Sequence, residues 1–114
     1  MGSDIDSRDA SGPGISVVVP VYRSAGTLAL LRDRIDAALS GAGMDYELIF
    51  VDDCGGDHSW DVIQALVDMH PGVRGIKLSR NFGQHAATLC GISRARGEWV
   101  VTIDDDLEQP PELI

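Results

Sequence analysis

Short apolar runs alternate with amphipathic ones along this chain. "ISVVVPVY" at 15–22 is valine-rich and bounded by glycine and the polar "RSAG", which predicts a buried strand with Pro20 near its end. The next segment puts Leu28, Leu31, Ile35 and Leu39 at helical spacing, with Arg32, Asp33 and Asp36 off that face. Ser24 or Thr27 is placed to cap this helix and Gly41 to end it. "YELIFVDD" at 46–53 predicts a second strand. A second helix follows, capped by Asp57 or Ser59, with Trp60, Ile63, Leu66 and Val67 on its apolar face and "HPG" as its stop. "VRGIKLS" at 73–79 is less hydrophobic and reads as an edge strand. A third helix over 83–95 uses Ala86, Ala87, Leu89, Cys90 and Ile92, and "EWVVTI" at 98–103 is the fourth strand.

Strand and helix in strict alternation imply right-handed crossovers and a parallel sheet. The fold class is therefore α/β, a Rossmann-like half with a mostly parallel sheet and helices on both faces. Ligands of such sheets gather at the carboxyl ends of the strands. That draws attention to Pro20–Tyr22, Asp52–Asp53, Ser79–Asn81 and Asp104–Asp106.

Composition narrows the chemistry. The 114 residues suffice for one domain, and 9 basic against 18 acidic residues give a net charge of −9. This balance lacks the clustered cations that nucleic acid requires, so no nucleic-acid partner is expected. Cys54 and Cys90 have no metal-ligand spacing and are read as reduced thiols of a cytoplasmic protein. No apolar run approaches the roughly 20 residues that span a bilayer. Residues 1–14 are polar and glycine-rich, without a signal-peptide plan, and are expected to form a disordered arm ahead of the domain at 15–114.

The acidic strand ends carry the strongest signal. Alternation along extended backbone sends Asp104 and Asp106 to one side and Asp105 to the other, where it need not be functional. Two carboxylates on one side repel unless a cation lies between them, and Mg or Mn with oxygen ligands suits that geometry. A solvated acidic turn is the plainer reading of the triplet, but its place after a buried strand favours metal. Asp52 or Asp53 can accept from a ribose hydroxyl or a base N–H. Arg80 can pair with a diphosphate or with one of these aspartates. "CGGD" is neither a GxGxxG nor a Walker A sequence, and no Ser-His-Asp or Cys-His set is supported. His85 and both tryptophans, Trp60 and Trp99, fit surface, core or sheet-covering roles.

"SVVVPVYRSAGTL", "YELIFVDD" and, above all, "KLSRNFGQHAATLCGISRARGEWVVTIDDDLEQPPE" together resemble the family 2 glycosyltransferases, which have the GT-A fold. The likeness is greatest to the polyprenyl-phosphate sugar transferases, the dolichol-phosphate mannose synthase group, and covers residues 15 to 114. It implies that Pro20 and Tyr22 line the nucleobase pocket and that Asp52 or Asp53 contacts base or ribose. It further implies that Asp104 and Asp106 form the DxD pair, with Asp106 the direct metal ligand. Glu108 falls where the subgroup often has a glutamine near the metal. Arg23-Ser24 replaces a common Asn-Glu pair.

The implied reaction is inverting sugar transfer from a nucleoside-diphosphate sugar, with a polyprenyl phosphate at the cytoplasmic membrane face as acceptor. No catalytic base is assigned within these residues. The chain is expected to be the N-terminal, donor-binding part of such a domain, with the fourth strand an exposed edge open to self-association. The competing readings are a non-catalytic nucleotide- or metal-binding module and a phosphoacceptor receiver domain. "PVYRS" lacks the acidic residues that a receiver needs after its first strand.

Overall fold

A computed structural model describes residues 12–105. Four strands, β1 (Ile15–Val21), β2 (Tyr46–Asp52), β3 (Val73–Lys77) and β4 (Trp99–Thr102), alternate with three helices. These are α1 (Leu28–Gly41), α2 (Ser59–Met69) and α3 (Gln84–Arg94). Every pairing is parallel and the sheet order is β3-β2-β1-β4. The expected α/β class and the edge position of β3 are both found. β4 forms the other edge among the described residues.

Alternation along the central strands divides the core between two faces. Val17, Val19 and Val21 of β1 with Leu48 and Phe50 of β2 meet Leu28, Leu31, Ile35 and Leu39 of α1 and Ile63 and Leu66 of α2. All four of the predicted α1 residues are buried. Val18, Ile49 and Val51 face the other way, towards Ala87 of α3. Both faces of the sheet are therefore covered, and β1 is buried along its whole length.

Two expectations about apolar residues are corrected. Leu89 and Ile92 of α3 are exposed, because the helix meets the sheet through Ala87 and Gly91 instead. A Cβ at Gly91 would come within 2.3 Å of Val18 Cγ1, so close backbone approach selects small residues on that face. Trp99 does not cover the sheet; it is 69% exposed, since β4 has no outer neighbour among the described residues. The caps also differ. Thr27 makes no capping bond to α1, whereas the Asp57 carboxylate accepts from Ser59 N–H at 3.0 Å at the start of α2.

A polar network closes the amino-terminal edge of the sheet. Glu47 is buried in β2 and accepts from Ser16 Oγ (2.5 Å), Arg74 Nη1 (2.7 Å) and Arg96 N–H (2.6 Å). Ser16 Oγ in turn accepts from Gly97 N–H at 2.7 Å. Burial raises the Glu47 pKa, but the hydrogen bonds from Ser16, Arg96 and Arg74 outweigh it and hold the carboxyl below its ordinary range. A Cβ at Gly97 would lie 2.6 Å from Ser16 N, so only glycine lets the α3–β4 turn reach this network.

Candidate functional site

The opposite, carboxyl-terminal edge is built differently. β1 ends at Val21 and passes through Tyr22 and Arg23, the latter with a left-handed φ of 55°. β2 ends at Asp52 and passes through Asp53 to Cys54, whose φ is 57°. Left-handed backbone costs an L residue other than glycine roughly 1–2 kcal/mol and persists only when its surroundings enforce it. Here Arg23 Nε donates to Gly55 O at 2.9 Å, and Ser24 N–H donates to Ser59 Oγ at 3.0 Å. The two strained loops are thereby tied to each other.

Asp52 is the last residue of β2 and Asp53 the first of the loop that follows. Asp53 Oδ1 accepts from Phe82 N–H at 2.8 Å, fixing the loop before α3. Asp52 is buried, and its Oδ1 has no hydrogen-bond partner among the described residues. Burial, then the charges of Asp57 and Asp53, raise the Asp52 pKa against the opposing pull of Lys77. An acceptor left unpaired in the interior is a cost that a ligand N–H or O–H can relieve.

The triplet after β4 splits between the faces. Asp104 Oδ1 accepts from Gln84 Nε2 at 3.0 Å, on the α3 side. Asp105 turns towards the β1–α1 loop, where its Oδ2 accepts from Tyr22 N–H at 2.9 Å and from the Ser24 hydroxyl. The expectation that Asp105 points away from Asp104 holds, but Asp105 is not idle: it is a hub of the site edge. Asp106 and Glu108, the other expected metal ligands, lie outside the described residues. Within the described residues no group of three or more His, Cys, Asp or Glu could hold a metal ion. Asp104 offers the hard oxygen that Mg or Mn prefers, so its chemistry fits such an ion as one ligand of a set.

Pro20, Val21, Tyr22, Asp53, Gln84 and Asp105 line a pocket of about 50 Å³. Three strand ends and the start of α3 thus converge on one place. Arg80 makes no ion pair among the described residues; its guanidinium lies over the Phe82 ring, 4.8 Å from the centroid. A larger groove of about 330 Å³ lies along α2 and β3, lined by Trp60, Gln64, Val67, Asp68 and Gly75. It holds no cluster of titratable groups, so size and chemistry point to different places, and chemistry is the better guide to a reactive site. Gln84 was not singled out from the sequence, Ser24 was read only as a helix cap, and Asp105 only as pointing away from its neighbours. Polar residues just after strands or at a helix start were the available signal.

A parallel sheet with helices on both faces and acidic residues at its carboxyl edge defines an α/β protein of the kind whose ligands gather at that edge. The model of the Glycosyl transferase family 2 matches residues 16–114, and the chain belongs to that family. It is 42% identical over 101 residues to undecaprenyl-phosphate 4-deoxy-4-formamido-L-arabinose transferase of Pseudomonas paraeruginosa, an alignment covering 88% of this chain and 30% of that protein. The enzyme of the same name from Shewanella sediminis is 42% identical over 103 residues, with the same coverage. The chain therefore spans about 30% of the length of these curated relatives.

Among solved structures, the mannosyltransferase PcManGT of Pyrobaculum calidifontis, in complex with GDP-Man and Mn2+, superposes with a TM-score of 0.70. It is 24% identical and covers 83% of this chain and 28% of its own. TarS of S. aureus in complex with UDP gives a TM-score of 0.68 at 23% identity, covering 81% of this chain and 27% of that one. These likenesses establish the GT-A-like fold. No helix of the described residues is long and apolar enough to cross a membrane.

Proposed function

We propose that this chain supplies the donor-binding part of an inverting, metal-dependent transferase that moves a sugar from a nucleoside diphosphate to a polyprenyl phosphate. The observation that carries the reading is the convergence of Tyr22, Asp53 and Asp105 on one pocket at the carboxyl edge, in a chain of this family. The acceptor class is supported by the relatives, named as undecaprenyl-phosphate sugar transferases, and the donor and cation classes by the structural neighbours' complexes with GDP-Man, Mn2+ and UDP.

In this reading Pro20 and Tyr22 wall the base, and Asp52 or Asp53 accepts from base or ribose. Arg80 and Asp104 serve the diphosphate end, with Asp106 and Glu108 completing the cation's ligands. A bound divalent cation would offset charge on the departing diphosphate. The pocket of about 50 Å³ is far smaller than a nucleotide needs, so it forms one wall of the donor site rather than the whole.

The test is titration of the chain with UDP and GDP, each with and without Mn2+, followed by calorimetry. Binding of at least one nucleoside diphosphate that strengthens with the cation is expected. Absence of cation-dependent binding to either would overturn the donor-site reading.

A further inference from the structure

We propose that Asp105, the middle residue of the acidic triplet, is a positioning residue that locks the base end of the donor site to its diphosphate end; this rests on the donor-site reading above. The last ladder bond between β4 and β1 runs from Ile103 N–H to Val18 O at 3.1 Å. Beyond it the two strands separate, β1 into the Tyr22–Thr27 loop and β4 into Asp104 and Asp105. Three hydrogen bonds from that loop then converge on Asp105 alone. Tyr22 N–H and the Ser24 hydroxyl both reach Oδ2, and Thr27 Oγ1 donates to the Asp105 carbonyl at 2.7 Å.

The left-handed Arg23 sits between Tyr22 and Ser24 and folds the loop so that both meet the same oxygen. Arg23 Nε and Ser24 N–H meanwhile hold the loop's other side to Gly55 and Ser59. The loop bearing Tyr22 is thus braced on two sides, and Asp105 is the brace covalently next to Asp104. A shift of the triplet is transmitted to Tyr22 through one carboxylate. The separation between base wall and diphosphate end is then set before a donor arrives, which spares the ordering cost at binding.

Asp105→Ala, Asp105→Asn and Ser24→Ala chains test this. Each is checked for a retained fold by circular dichroism, then titrated with a nucleoside diphosphate plus Mn2+ and with the corresponding nucleoside alone. D105A is expected to weaken the cation-dependent diphosphate affinity at least ~10-fold while changing nucleoside affinity less than ~3-fold. D105N keeps an acceptor oxygen for Tyr22 N–H and should fall between D105A and the parent, as should S24A.

Equal weakening of both ligands, or none, overturns the proposal. Amide hydrogen exchange supplies a readout that needs no nucleotide. Tyr22 N–H should exchange at least ~10-fold faster in D105A than in the parent, with the β1 and β2 amides unchanged. Unchanged Tyr22 exchange refutes the brace. A parent chain that binds no diphosphate sinks the donor-site reading instead, and the exchange result still decides the role of Asp105.

Discussion

Replacing Asp52 by asparagine should raise stability and weaken donor binding at once. The Asp52 carboxylate is 4% exposed, its Oδ1 is unpaired, and the charges of Asp57 and Asp53 lie on the same edge. A buried polar group without a partner costs about 1–3 kcal/mol, and more when charged. Asparagine removes the charge but leaves an amide to be satisfied, so a net gain of about 1 kcal/mol is expected. For a domain of this size that raises Tm by roughly 4 °C.

The sign with pH follows from the raised folded-state pKa. The folded protein takes up this proton at higher pH than the unfolded chain does. This group's contribution to stability therefore grows as pH falls from neutrality through the folded pKa, and levels off below the ordinary value of 3.8. The advantage of D52N should accordingly be largest near neutral pH and vanish in acid. If the unpaired oxygen receives a donor N–H or O–H, loss of its charge should weaken nucleoside diphosphate binding by about 1–2 kcal/mol, roughly 5- to 30-fold. Thermal melts across pH and calorimetric titration measure the two effects. A lower Tm at neutral pH would mean that Lys77 already compensates the charge, and unchanged affinity would remove Asp52 from the site. Either result refutes the argument.

Glu47→Ala should cost about 3–5 kcal/mol in urea unfolding, since Ser16, Arg74 and Arg96 N–H lose their shared acceptor in a buried setting. Because the folded-state pKa of Glu47 is lowered, its contribution is present above the unfolded value of 4.5 and is lost as pH falls through the folded pKa; Glu47→Gln should differ from the parent at neutral pH and converge with it in acid. Cys54→Gly should gain about 0.5–1 kcal/mol by relieving the φ of 57°, while Gly56→Ala, at a φ of 82° with open space around it, should lose about 1 kcal/mol. Denaturant midpoints at constant m-value read both, and the opposite order would show that local contacts rather than backbone strain govern this loop.

Local pattern made the fold legible. The unbroken apolar run "ISVVVPV" marks a strand buried on both sides, the 28/31/35/39 spacing specifies one helix face, and alternation of such segments leaves a parallel sheet as the economical arrangement. The acidic strand ends were legible for the same reason, because strand ends are where a parallel sheet meets its ligand. Pair identity was not. Whether Asp52 or Asp53 is satisfied depends on Phe82 N–H, about thirty residues away, and no local rule supplies that contact. The side to which Asp105 points was legible, but alternation does not tell that Tyr22 N–H and the Ser24 hydroxyl wait there. Leu89 and Ile92 were misread because helical periodicity cannot tell that α3 seats on the sheet through Gly91. A usable signal for the Glu47 network did exist: Ser16, Glu47 and Arg74 each occupy the second position of their strand.

The two edges of the sheet show how one fold separates stability from binding. At the amino-terminal edge both carboxylate oxygens of Glu47 and the Ser16 hydroxyl are engaged, and Gly97 admits no side chain. Substitution there has only losses to offer. At the carboxyl edge two residues other than glycine hold left-handed backbone and one buried oxygen stands unpaired. A sequence selected for stability alone would remove these features with glycine and asparagine. Their presence at the edge where a parallel sheet receives ligands is what a site looks like when its polar groups are completed by something other than the protein. The larger groove beside Trp60 has volume but no such unmet demand, which is why the proposed donor site is put at the carboxyl edge beside Tyr22, Asp53 and Asp105 rather than there.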